Sequence, residues 1–175
     1  HSVRAVRQQS SRHDPHRIGV GVLVTQEGGR VPLLPDQVAF TPGIHEFTWS
    51  PDSKSIAYVS TQSGQSEIWV VSAAGGQPQR LTSNGLPKKQ PHWSGDGKWI
   101  AYVAIQPGGL GDIEMVAAEG DNTINLTESA SDDRNPAWAP DSHTLAFTAN
   151  DRVRTRILTV DVETRTLVEI AEENA

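Results

Sequence analysis

Six side chains of this 175-residue chain stand where residue type and spacing suggest recognition chemistry. Counting back four residues from Trp49, Trp93 and Trp138 gives His45, Lys89 and Arg134, and counting back three gives Glu46, Gln90 and Asn135. Every member of the first set can carry positive charge, and every member of the second carries an acceptor oxygen. Brought to one place, the three cationic groups would suit a carboxylate or an acidic peptide, because ammonium and guanidinium groups make their strongest hydrogen bonds to ionised oxygens. Asp132 and Asp133 stand beside Arg134 and would neutralise part of that charge.

Other chemistries find no support. There is no Gly-x-Ser-x-Gly elbow for a hydrolase nucleophile, no second His to make a zincin of His45-Glu46, and no glycine-rich phosphate loop. His1, His13 and His16 fall in a basic N-terminal stretch, and His92 sits just ahead of a Trp in a strand-like run. Asp52, Asp96 and Asp141 recur in one slot and invite a metal reading, but recurrence beside Pro, Gly and Ser is better explained by turn formation. Asn125-Leu126-Thr127 fits a glycosylation sequon, and Arg80-Leu81-Thr82 in the same relative place accounts for it as repeat chemistry. No catalytic residue, metal ligand or cofactor site is expected.

Charge and composition bound the partners. Fifteen Lys and Arg against 21 Asp and Glu give a formal charge of −6, which disfavours nucleic acid, whose phosphates call for clustered cations. The longest apolar run, Ile18 to Val24, is too short to cross a bilayer and contains two glycines, so no membrane insertion is expected. The start, His1-Ser2-Val3-Arg4, shows no signal peptide and reads as a processed or truncated end. Arg4, Arg7, Arg12 and Arg17 make residues 1–17 a basic tail or linker.

The elements that must position the six residues come from a repeat. Trp49-Ser50-Pro51-Asp52-Ser53-Lys54-Ser55-Ile56-Ala57-Tyr58 aligns without gaps on Trp93 to Tyr102 and on Trp138 to Phe147, at spacings of 44 and 45. Each copy continues into a second apolar run: Ile68 to Val71, Ile113 to Val116, Ile157 to Val160. Each then closes on a short segment, Arg80-Leu81-Thr82, Asn125-Leu126-Thr127 or a decayed Glu169-Ile170-Ala171. The pattern predicts four strands per unit and no sustained helix. In the first turn Gly97 tolerates positive φ, and Ser53 and Ser142 replace it; if the slot is left-handed, each serine costs about 1 kcal/mol.

Trp-Ser-Pro-Asp-(Gly/Ser)-Lys-x-Ile-Ala-Tyr, followed by Glu67-Ile68-Trp69 or Asp112-Ile113 and by a Gly-Gly and Arg-Leu-Thr close, resembles the WD-like repeat of TolB-type β-propellers over residues 44 to 171. The third copy departs from it, with Arg156 where the acidic residue belongs. The resemblance implies an all-β propeller of four-stranded antiparallel blades, with the strand before each Trp lining a central channel. His45, Lys89 and Arg134 would then lie at a channel mouth. It also implies a non-catalytic scaffold for protein or peptide partners in a periplasmic setting. Similar propellers also gate substrates in prolyl-oligopeptidase-type serine peptidases, whose catalytic domain would lie outside this chain.

Val22-Leu23-Val24 through Gly28-Gly29 aligns on Trp69-Val70-Val71 through Gly75-Gly76, so residues 18–36 resemble strands three and four of a preceding blade. The expected organisation is a half blade at 18–36 and blades at 40–84, 85–128 and 129–171, within a propeller segment of 18–175. Closure typically takes 4 to 8 blades. Three and a half would be incomplete, to be closed by further blades or by self-association.

Overall fold

The computed structural model describes residues 4–6, 22–24, 30–32, 44, 46–120 and 122–174, the first three stretches by backbone alone. Three four-stranded antiparallel sheets follow one another in sequence, each a simple meander. The first blade holds β4 (Phe47–Trp49), β5 (Ser55–Ser60), β6 (Glu67–Ser72) and β7 (Gln79–Arg80). The second holds β8 (Lys88–Trp93), β9 (Trp99–Ile105), β10 (Gly111–Ala117) and β11 (Ile124–Asn125). The third holds β12 (Asp132–Trp138), β13 (Thr144–Asn150), β14 (Arg154–Asp161) and β15 (Leu167–Asn174). This is the expected all-β architecture, an unclosed run of propeller blades, and no helix among the described residues is long and apolar enough to cross a membrane. A further three-stranded sheet pairs β1 (Arg4–Val6), β2 (Val22–Val24) and β3 (Arg30–Pro32). Its first strand lies inside the stretch that the sequence reads as a basic tail, in register with the half blade.

The Trp-to-Tyr decapeptide forms the β-turn between the first two strands of each blade. Ser50 Oγ donates to Asp52 Oδ1 at 2.7 Å, which also accepts the Lys54 N–H at 3.0 Å. Ser94 and Asp96 repeat the arrangement at 2.7 Å. In the third turn Asp141 Oδ1 accepts the N–H groups of His143 and Thr144, each at 2.9 Å. The Ser50 hydroxyl holds Asp52 below its ordinary carboxylate range, and the Thr144 N–H does the same for Asp141. The recurrent aspartates are therefore turn acceptors, and the slot after them is left-handed, with φ of 60° at Ser53, 77° at Gly97 and 60° at Ser142.

Strand alternation gives every blade two apolar faces, because neighbours cover both. Ala57, Val59, Ile68 and Leu81 of the first blade pack on Ile100, Tyr102, Ala104 and Val116 of the second. The opposite face of the second, Ala101, Val103, Ile113, Met115 and Leu126, packs on Leu145, Phe147, Ala149 and Val160 of the third. Each fully buried Ile or Val contributes roughly 1.5–3 kcal/mol, so these two contacts hold the blades together. Gly111 leaves no room for a side chain: a Cβ there would lie 2.6 Å from Val103 Cγ1 of its own blade and 2.7 Å from the Asp133 carbonyl oxygen of the next.

Candidate functional site

The first strands of the second and third blades, β8 and β12, each carry a bulge that displaces the residues singled out by spacing. Register slips between Lys89 and His92 and between Arg134 and Ala137. Gln90 and Asn135, each followed by a proline, take φ of 53° and 56°. A non-glycine residue in the left-handed region is held there by its surroundings, and here those are one another. The Gln90 N–H donates to Glu46 Oε2 on the first blade. The Asn135 N–H donates to Gln90 Oε1 at 2.9 Å, and Gln90 Nε2 returns a bond to Asn135 Oδ1 at 3.0 Å. Asn135 Nδ2 ends the run on Thr148 Oγ1 at 3.0 Å. Glu46, Gln90 and Asn135 thus form one hydrogen-bonded ladder across three blades, partly open to solvent.

The basic-capable positions are arranged less uniformly. Lys89 is exposed, and its ammonium has no hydrogen-bond or ion-pair partner among the described residues. Arg134 is half-buried and turned onto Asp132, with Nη2 2.7 Å from Oδ1, and that carboxylate also accepts the Gly111 N–H at 2.8 Å. The neutralisation anticipated from Asp132 is therefore a direct ion pair. His45 lies outside the described residues. His92 is exposed on β8, where its carbonyl accepts the Trp138 indole N–H at 3.0 Å.

One residue before this set, spacing gave no prompt, and there the structure buries charge. Lys88 is 0% exposed. Its Nζ donates to Asn84 Oδ1 and the Leu86 carbonyl, lies 3.8 Å from Glu67 Oε2, and stands 5.9 Å from the centre of the Tyr102 ring. Tyr102 in turn donates to Glu114 Oε2 at 3.0 Å. Burial pushes the Lys88 pKa down and the Glu114 pKa up, and the opposite charge of each opposes the shift in the other. The equivalent of Lys88 in the third blade is Asp133, also 0% exposed. Its Oδ2 accepts from Ser129 Oγ at 2.8 Å, whereas Oδ1 has no hydrogen bond within ordinary geometry among the described residues. Burial raises its pKa, and the charges of Asp112 and Asp132 add to the shift. The signal in the sequence was the Lys88-Lys89 doublet, since strand alternation turns one of two adjacent residues inward.

The sequence pattern of the TolB beta propeller domain matches residues 35–175. The chain belongs to the TolB β-propeller family. The Tol-Pal system protein TolB of Desulfosudis oleivorans is 39% identical over 74 residues, covering 42% of this chain and 15% of that protein. The crystal structure of TolB from Acinetobacter baumannii superposes with a TM-score of 0.73 at 18% identity, over 99% of this chain and 41% of that one. A puromycin-hydrolyzing peptidase of Mycobacterium tuberculosis gives a TM-score of 0.69 at 16% identity, over 95% of this chain and 28% of that one. These structural likenesses are likenesses of fold. The chain spans well under half the length of each of these three proteins.

Proposed function

We propose that this chain is a sector of a non-catalytic TolB-type propeller that holds a protein or peptide partner at its channel mouth, in an extracytoplasmic setting at the cell envelope. The observation that carries the reading is the Gln90–Asn135 pair. It fixes two carboxamides at the leading ends of the first strands of neighbouring blades, partly open to solvent, beside Lys89, whose ammonium has no partner among the described residues. Carboxamides offer both donors and acceptors to a peptide backbone, and a lone exposed ammonium favours acidic side chains. Arg134 contributes less charge because Asp132 is already bound to it.

The test is binding of a glutamate-rich synthetic peptide, followed by fluorescence anisotropy at low and moderate salt. Lys89→Glu together with Arg134→Glu is expected to abolish binding. Lys89→Glu alone, which disturbs no described contact, should weaken it about tenfold. Affinity unchanged in both variants would overturn the reading.

A second reading has its own support in the likeness to the puromycin-hydrolyzing peptidase. A propeller of this type would there restrict access to a serine peptidase domain carried elsewhere in the polypeptide. Sequencing the coding region beyond codon 175 separates the two, since the peptidase reading demands a Gly-x-Ser-x-Gly elbow downstream.

A further inference from the structure

The groups around Lys88 hold what a covalent step between two side chains requires: an amine, a carboxamide, a proton acceptor and a proton donor. Asn84 lies in the connection from β7 to β8, and Lys88 opens β8. The Lys88 Nζ donates to Asn84 Oδ1, which sets the amine beside the carboxamide carbon Cγ. The Leu86 N–H donates to the same oxygen at 3.3 Å and would hold the negative charge that attack at Cγ places on it. Lys88 is enclosed whereas Asn84 is exposed, so a group leaving Cγ has a path to water.

Two acids complete the cluster. Glu67 Oε2 lies 3.8 Å from Lys88 Nζ and accepts from Thr82 Oγ1 at 2.5 Å. Glu114 accepts from the Tyr102 hydroxyl at 3.0 Å, and the Asn84 side chain stands close enough to favour its ionised form. Only the nitrogen of a carboxamide can donate, so it is Asn84 Nδ2 that turns toward Glu114. Burial lowers the pKa of Lys88 and raises that of Glu114, directions that favour a free amine and a protonated carboxyl. At the second blade contact the positions of Asn84, Lys88, Glu67 and Glu114 hold Ser129, Asp133, Asp112 and Leu158, which offer neither amine nor carboxamide.

We propose that Lys88 Nζ and Asn84 Cγ join in an intramolecular amide bond with release of ammonia, Glu67 taking a proton from the amine and Glu114 supplying one to the leaving nitrogen. Lys88 Nζ first gives one proton to Glu67, and its lone pair then bonds to Asn84 Cγ while the carbonyl π pair moves onto Oδ1. As that pair returns, the bond from Cγ to Nδ2 breaks. Nδ2 departs with the bonding pair and a proton from Glu114, and Nζ restores a proton to Glu114. The proton held by Glu67 leaves with the ammonia as ammonium, so both carboxyl groups end as they began and no oxidant or other reactant enters. The bond would close the 84–88 segment on itself at the entry to the second blade. This inference does not rest on the channel-mouth reading.

Intact-mass measurement and peptide mapping of the folded 175-residue chain test it. The expected mass is lower than that of the sequence by one ammonia, with a branched peptide in which Asn84 is joined to Lys88. The chain held unfolded in urea should keep its full mass, because only the fold brings amine and carboxamide together. Glu114→Gln, with its fold checked by circular dichroism, should lose ammonia at least about tenfold more slowly. Full mass in the folded wild-type chain after prolonged incubation overturns the proposal, as does an unchanged rate in Glu114→Gln or equal loss in urea. So does an ammonia loss that maps to the Asn84-Gly85 backbone, which would mark a succinimide formed by the Gly85 nitrogen instead of a bond to Lys88.

Discussion

The two blade-to-blade contacts share a backbone plan and differ in electrical content. Between the first and second blades, a buried ammonium stands among Glu67, Glu114 and the Tyr102 ring, its hydrogens taken up by Asn84 and the Leu86 carbonyl. Between the second and third, the ammonium is replaced by Asp133, Tyr102 by Phe147 and Glu114 by Leu158, leaving Asp133 near Asp112 with no cation paired to either among the described residues. The surrounding apolar packing is as complete in the second contact as in the first. Shape complementarity therefore persists in a repeat while the charges it encloses drift. The first contact is fully partnered and intolerant of loss, whereas the second encloses an uncompensated charge that a proton can remove.

The sharpest way to break this contrast is Lys88→Met. It strands Glu67 and Glu114 in a buried site, and the expected loss is about 3–5 kcal/mol in urea unfolding at neutral pH. A loss under about 1 kcal/mol would mean that the ammonium contributes no more than the apolar stem.

Asp133→Asn should act in the opposite direction, raising stability by about 1–3 kcal/mol near pH 8 by removing a buried charge without changing shape. Because the folded pKa of Asp133 is raised, its contribution to stability is complete below the ordinary carboxylate range near pH 4 and is lost as pH rises through the folded value. Glu114 shifts in the same direction, so the difference between wild type and Asp133→Asn isolates the one residue. That difference is expected to be small near pH 4 and to grow toward pH 8. A difference independent of pH would show that folding leaves the Asp133 pKa unshifted.

The smallest contrast lies in the turns. Ser53→Gly relieves a left-handed serine and should add about 0.5–1 kcal/mol. Ser142→Gly relieves the same strain but loses the bond that Ser142 Oγ accepts from the Asp96 N–H at 3.0 Å across the second contact. Its net effect should be near zero, and thermal melts of the two variants side by side decide it.

Much of the fold was legible because Trp49, Trp93 and Trp138 recur with their turns, and turn chemistry is local. Ser53 and Ser142 were readable as left-handed from the single glycine at position 97. Glu46, Gln90 and Asn135 were found by spacing, but their bonding to one another was not, since it depends on bulges that a linear alignment does not display. The inward turn of Lys88 and Asp133 escaped for a related reason. Which residue of an adjacent pair faces the core is set by register against the neighbouring strand, and the sequence alone left that parity open. Arg156 was noticed as a departure from the family pattern, and its ion pairs with Asp151 and Glu169 of its own blade came only with the structure.

The ladder also has a mechanical meaning. Its rungs join the leading ends of the first strands, one bond from the first blade to the second and two from the second to the third. Two of these bonds start from the N–H of a residue held in the left-handed region, Gln90 or Asn135. A blade that swings away from its neighbour at this end therefore pulls directly on a bulge, and the three blades are coupled in series by strained backbone as well as by their apolar faces.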